Sequence, residues 1–249
     1  MSDQIIETKG LGSGIVQVKM QDRVNKNAFT NELIDGLTEA FEDIKARTDY
    51  KVVILTGYDN YFSSGGTQEG LRDLFEGKIK FTDKDLYSLA LNCPIPVIAA
   101  MQGHGIGGGF VMGMFADFVI LARQSIYTTN FMKYGFTPGM GSTFILPKKL
   151  GFSLAEEMML TASTYRGEEL QNRGVPFPVI PRENVLEHAF ELAKSLAEKP
   201  RVSLVTLKDH LVTPLREQLP KFIEQEIAMH ELTFHQLEVK DRIEAFFGK

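Results

Sequence analysis

The stretch PVIAAMQGHGIGGGFVMGMFAD, from Pro96 to Asp117, constrains the fold more than any other part of the chain. A short apolar run passes through Gly103, Gly105, Gly107, Gly108 and Gly109 into a second apolar segment, the pattern of a buried strand turning tightly into a helix. Glycines at such a turn let another backbone or a ligand approach closely, and the first amides of the helix lack intrahelical partners. An anion, or an oxygen becoming one, is the natural occupant. Read literally, Gly103, Gly105 and Gly108 also satisfy the G-x-G-x-x-G dinucleotide fingerprint, so a nicotinamide-dependent dehydrogenase has to be weighed. Against it, the helical segment is short before DFVILA begins, the motif sits mid-chain, and Arg123 rather than an acid follows the next strand.

A second glycine turn, Asn60 to Thr67 (NYFSSGGT), follows the strand-like KVVILTG and leads towards another helical segment. By itself it is only a turn. As a pair, two strand-to-helix turns about forty residues apart can each donate one backbone N–H to a single oxygen.

Up to about residue 150 the chain is rich in glycine and in short β-type runs (IVQVKM, KVVIL, PVIAAM, DFVILA), whereas from Ser153 onward it reads as helices. An α/β core over residues 1–195 followed by a helical region over 196–249 is expected. Asn31 to Ala46 places Leu33, Ile34, Leu37, Phe41 and Ile44 on one helical stripe, and Ser153 with Glu156 has the form of a capping box. Near the C-terminus Phe222, Ile223, Glu226, Ile227, His230, Leu232 and Phe234 recur at helical spacing, with Pro220 suited to a first turn. The apolar side of that helix would cover the core or a neighbouring subunit, and periodicity does not choose between them.

Cys93 is the only cysteine, which excludes an intrachain disulfide and cysteine-rich zinc sites and suits a reducing cytoplasm. The formal charge of −5 argues against nucleic-acid binding, which needs a basic face. No apolar run approaches the ~20 residues of a membrane span, so neither export nor membrane insertion is expected. His230 and His235 flank Glu231 in a near-copy of H-E-x-x-H, but the spacing of five turns them ~140° apart on a helix, so no metal is expected there. No P-loop and no G-x-S-x-G elbow occur.

The stretches DRVNKNAFTNELIDGL, KVVILTGYDNYFSSGGT, PVIAAMQGHGIGGGF, YGFTPGMGSTFILPKKLG and DRIEAFFG together resemble the crotonase (enoyl-CoA hydratase/isomerase) superfamily over nearly the whole length. The resemblance implies the α/β crotonase (ClpP-like) fold, a spiral of ββα units followed by a helical C-terminal trimerisation region, in trimers often paired into hexamers. It also places the oxyanion-hole amides on Gly66 and Gly108, which would hold a thioester oxygen as it becomes an enolate. Hydratases of this family carry two glutamates where this chain has Val111 and Phe131, and neither of these moves a proton, so water addition is not expected. Val111, Phe131 and Tyr87 are candidate pocket walls. His104, within the glycine loop, either lines the pocket or hydrogen-bonds the turn.

An oxyanion hole in an apolar, carboxylate-free pocket suits loss of CO2 from a position conjugated to a thioester, which needs an electron sink but no base. TGYDNYFSSGGTQEG, AMQGHGIGGGFVMG and FMKYGFTPGMGSTF resemble a narrower group, the decarboxylating ECH2 enzymes of HMG-synthase β-branching cassettes in polyketide (bacillaene-type) biosynthesis. That resemblance implies a 3-methylglutaconyl thioester on an acyl carrier protein as substrate, a 3-methylcrotonyl-type product, and no cofactor beyond the phosphopantetheine arm that the substrate brings. It also assigns Lys80 and His230 to handling the carboxylate and a proton. Taken alone, Lys80 would be a surface lysine beside Lys78 and Lys84, and His230 a packing histidine. An enoyl-thioester isomerase using the same dienolate is the nearest alternative, and a carrier-binding scaffold without activity is the alternative of another class.

Overall fold

The computed structural model describes residues 4–80, 82–83 and 85–247. The chain opens with a hairpin, β1 (Ile6–Gly12) and β2 (Ile15–Met20), followed by helix α1 (Asn31–Ala46). Thr30 caps α1 through the Leu33 amide, and Leu33, Leu37, Phe41 and Ile44 are buried as their spacing predicts.

A unit of a long strand, a short strand and a helix then recurs. It comprises β3 (Val52–Thr56), β4 (Tyr61–Ser63) and α2 (Gln68–Phe75); after the short helix α3 (Leu89–Asn92), β5 (Val97–Met101), β6 (His104–Ile106) and α4 (Gly108–Met114); then β7 (Phe118–Ala122) and β8 (Ile126–Thr128). The long strands join a six-stranded sheet in the order β1-β2-β3-β5-β7-β10, and the short ones a four-stranded sheet in the order β4-β6-β8-β9. Here β9 is Thr164–Arg166 and β10 is Val179–Ile180. From β2 to β10 the large sheet is parallel and covered on both faces, which is why its strands read as unbroken apolar runs. Val53, Leu55, Val97 and Ala99 face the main core, while Val52, Ile54, Ile98 and Ile120 face a second layer with Val185, Ala189, Ala193 and Ala197 of helix α8 (Val185–Ala197). This two-sided mixed α/β spiral with helices at its C-terminal end is the architecture expected.

Helices α5 (Ser142–Leu150), α6 (Phe152–Thr161) and α7 (Gly167–Asn172) precede α8, and α9 (Arg201–Thr233) and α10 (Leu237–Phe246) end the chain. Four details depart from the sequence reading. Gly151, at φ +80, ends α5 and begins α6, so Ser153 lies within the first turn and is not its cap. Pro220 does not start a helix: α9 runs 33 residues through both Pro214 and Pro220, after starting beside Pro200. The region beyond Ser153 is not wholly helical, because β9 and β10, each too short to show alternation, complete the two sheets. The boundary at 195/196 falls inside α8, and the break between helices is at 198–200.

Of the two outcomes foreseen for the C-terminal helix, one face of α9 meets the first, covering the core. Val212, Leu219, Glu226 and His230 are buried against the core, while Val202, Leu207 and Leu211 stay exposed. Lys208 fixes the buried face: its ammonium bonds the Asp117 carboxylate at 2.7 Å and the carbonyls of Ala90 and Ile95 at 2.9 and 3.0 Å.

Candidate functional site

The parallel pairing of β4 with β6 sets the two glycine turns side by side. Asn27 anchors the first turn from below, its amide nitrogen donating to the Met20 and Phe62 carbonyls, while the Ser63 hydroxyl donates to the Asn27 carbonyl. Phe29 N then donates to Gly65 O and Ser64 N to Lys26 O, so the turn before Gly66 is held from both sides. In the second turn Gly107 N donates to Thr128 O, which leaves Gly108 to open α4. Gly65 has φ +79, and a Cβ there would lie 2.5 Å from Ile106 O and 3.3 Å from Gly108 N. Only glycine allows that approach. Among the described residues, neither the Gly66 nor the Gly108 amide has a hydrogen-bond partner.

Met140 and Phe29 cover Gly108: a Cβ on it would meet Met140 Sδ at 2.5 Å and Phe29 Cε2 at 2.8 Å. Beyond Met140 is a small cavity, about 10 Å³, lined by Thr82, Tyr87, Gly139, Met140, Glu226 and His230, with Ile223 and Ile227 as its apolar wall. That is room for about one water molecule.

His230 is buried, and its Nε2 lies 2.8 Å from the Thr137 carbonyl. A carbonyl only accepts, so Nε2 carries the proton. Burial pushes the imidazole pKa down, against the backbone carbonyls of Thr137 and Pro138, and the ring is neutral at pH 7. Tyr87 is pushed up to about 12, first by burial and then by the carboxylates of Asp85 and Glu226, so it is a neutral phenol.

Glu226 is the residue that the sequence reading did not single out. It is 2% exposed and accepts three hydrogen bonds, from Gly141 N at 2.7 Å, Thr143 N at 2.8 Å and Thr143 Oγ1 at 2.6 Å. Burial pushes its pKa up, and these donors oppose the shift. The pocket is therefore not free of carboxylates, contrary to the expectation drawn from Val111 and Phe131. The available signal was one acid on an apolar helical stripe, one turn before a histidine.

The other expected residues divide. Tyr87 and His230 line the cavity, and Met140 joins it to the Gly108 turn, beside which the Gly66 turn lies. Val111 and Phe131 are instead packed in the core, because α4 is buried on every side and the Phe131 ring meets Phe136. His104 does not line the cavity. Its Nδ1 accepts from Ile126 N at 3.0 Å and its ring stands edge-on to Tyr61, so the turn has taken it. Lys80 is exposed, two residues from Thr82, and is not brought against His230. The polar run Glu76 to Lys80 that carries it has no apolar stripe to dock. Phe81 and Lys84 lie outside the described residues. His235 lies in the turn beyond the end of α9, so the helical spacing argument does not apply to it, and it bonds the Phe75 carbonyl; no group of three metal-ligating side chains occurs among the described residues.

Known proteins resemble the chain over its whole length. The chain is 67% identical over 248 residues, covering 100% of both chains, to the bacillaene synthase decarboxylase PksI of Bacillus subtilis (strain 168). It superposes with a TM-score of 0.98 and 68% identity, over 98% of this chain and 100% of that one, on a solved structure from a dehydratase/decarboxylase couple involved in polyketide β-branching. The ECH2 decarboxylase domain of CurF from Lyngbya majuscula, in its rhombohedral crystal form, gives a TM-score of 0.93 at 45% identity, over 97% and 99% of the two chains. Residues 10–249 match the enoyl-CoA hydratase/isomerase family model, and the chain belongs to that family, the crotonases.

Proposed function

We propose that this enzyme decarboxylates a 3-methylglutaconyl thioester carried on an acyl carrier protein, releasing a 3-methylcrotonyl-type thioester during polyketide β-branching. The carrying observation is the pair of neighbouring turns whose Gly66 and Gly108 amides have no protein partner among the described residues, with Met140 packed between Gly108 and the cavity. When the bond to the carboxylate breaks, its electron pair enters the conjugated system and arrives on the thioester oxygen, and two aimed N–H groups hold the charge there. One such donor is typically worth about 3–4 kcal/mol of transition-state stabilisation. CO2 leaves, and a proton added to carbon completes the product. The sink is the substrate's own thioester, so neither redox cofactor nor metal is required by this chemistry.

In this reading His230 orients the substrate carboxylate or takes part in reprotonation, and its place in the cavity supports that role. Lys80 supplies the mobile cation: its segment reaches the cavity through Thr82 and Tyr87, and its exposed amine has to swing inward with substrate bound. The three donors on the Glu226 oxygens favour it as an anchor of α5 over the base of an isomerase. The exposed Val202, Leu207 and Leu211 of α9 support the proposed trimer, whose mass light scattering would give. No described helix is long and apolar enough to cross a membrane, and a single buried free thiol suits the proposed cytoplasmic location.

The test is mass spectrometry of 3-methylglutaconyl-loaded carrier protein incubated with the enzyme. Loss of CO2 with wild type and its absence with Lys80→Ala is the expected outcome. No loss with wild type, together with double-bond migration in a carboxylate-free analogue, would replace this reading with the isomerase; carrier binding without either reaction would leave the scaffold.

A further inference from the structure

The cavity beside His230 is built around a clamp that the decarboxylation chemistry does not itself require. Helix α5 begins after Gly141, which has no side chain to cap it and stands at φ +72. The first amides of a helix need acceptors, and a carboxylate is the strongest available because it also opposes the positive end of the helix dipole. Here that acceptor comes from α9, 85 positions further along the chain: Glu226 Oε2 takes Gly141 N, and Oε1 takes Thr143 N and Oγ1.

Two more residues on the same face of α9 grip the other end of the same segment. His230 bonds the Thr137 carbonyl, and Thr233 Oγ1 meets Thr137 N at 3.4 Å and Thr137 Oγ1 at 3.0 Å. Spacings of four and three put all three side chains on one stripe. Between the anchors, the Ser142 hydroxyl closes on the Gly139 carbonyl. Gly139 lies directly against the imidazole, where a Cβ would stand 2.5 Å from His230 Cε1, and Met140, at φ +61, reaches over Gly108.

We propose that Glu226 is a positioning residue for the reaction: by pinning Gly141 and Thr143 it holds the turn on which the His230 imidazole rests, and so fixes the ring's place in the cavity. The inference rests on the reading of His230 as a participant in the chemistry. A carboxylate is needed because all three contacts are donated to it. In Glu226→Gln one oxygen becomes an NH2 group facing an N–H, so shape is kept while one anchor is reversed.

The experiment measures kcat and KM on the loaded carrier protein for Glu226→Gln, His230→Ala and the double variant, together with the imidazole resonances of 15N-histidine-labelled protein. A tenfold to hundredfold fall in kcat at nearly constant KM is expected for Glu226→Gln, the order that a misplaced catalytic group produces. A shifted or tautomer-mixed His230 signal should accompany it, and little further loss is expected in the His230→Ala background. Unchanged His230 resonances in Glu226→Gln, or an equal loss with and without His230, would overturn the proposal. Wild-type kcat in His230→Ala would instead sink the assignment of His230, leaving the resonances to decide the clamp. Should Glu226→Gln not fold, Thr143→Val removes one of the three donors alone, and it is expected to move the same resonances by a smaller amount; no movement there also counts against the clamp.

Discussion

Helix α9 borders the cavity and the two glycine turns lie behind Met140, but the chain secures them differently. The turns are held by backbone: strand pairing of β4 with β6, the Phe29–Gly65 and Gly107–Thr128 bonds, and approaches that only glycine permits. Helix α9 is held by side chains that reach across from it, Lys208 to Asp117, Glu226 to Gly141 and Thr143, and His230 and Thr233 to Thr137. Backbone-held geometry resists most substitutions and fails at a few glycines. Side-chain-held geometry fails wherever one polar partner is removed.

Gly65→Ala tests the first half of this contrast most severely. The residue sits at φ +79 and its new Cβ would stand 2.5 Å from a carbonyl oxygen of the neighbouring strand. The left-handed conformation alone disfavours alanine by about 1–2 kcal/mol. Relief of the contact separates the Gly66 and Gly108 amides, and losing one donor lowers kcat by about 10²–10³-fold. Decarboxylation kinetics on correctly folded protein check this; near-wild-type kcat would mean that the two turns do not act on one oxygen.

Two lysines sharpen the second half. Lys208, its side chain 4% exposed, is ion-paired and bonded to two carbonyls, so Lys208→Met strands Asp117 and those acceptors. Removing one partner of a buried pair destabilises by about 3–5 kcal/mol. Lys80 is exposed, and Lys80→Ala should change stability by no more than about 0.5 kcal/mol while removing activity. Urea unfolding of both variants makes the comparison. Equal stability losses would show that the Lys80 segment is structural, contrary to its proposed role.

The same contrast explains what the sequence could disclose. Helix α1, the parallel strands and both glycine turns were legible because apolar period and glycine spacing are local signals, as Leu33, Leu37 and Gly108 illustrate. Glu226 was not, since its meaning depends on α5 lying against α9, a contact between residues 85 apart. For the same reason Val111 and Phe131, which the family resemblance puts where hydratases carry glutamates, gave no local sign that they pack inward. Pro220 misled because packing on the core carries α9 through it, as through Pro214.

The smallest expected effect separates the two buried titratable groups of α9. His230 has a folded pKa below its ordinary value, so the native state binds its proton less readily than the unfolded chain does. Its neutral form is favourable above about pH 6.5, and stability is lost as pH falls below that value, because the unfolded chain is protonated first. Glu226 has the opposite displacement, a folded pKa above its ordinary value, so its contribution falls as pH rises from about 4.5. Between about pH 6.5 and 5.5 the thermal midpoint of wild type should therefore drop more than that of His230→Phe, which has no imidazole to titrate. In Glu226→Gln the pH-dependent loss above about 4.5 should shrink, whereas the loss from His230 should persist. Parallel curves for wild type and His230→Phe would show that the imidazole is hydrated in the native protein, and the helix-borne half of the site would then be looser than its hydrogen bonds imply.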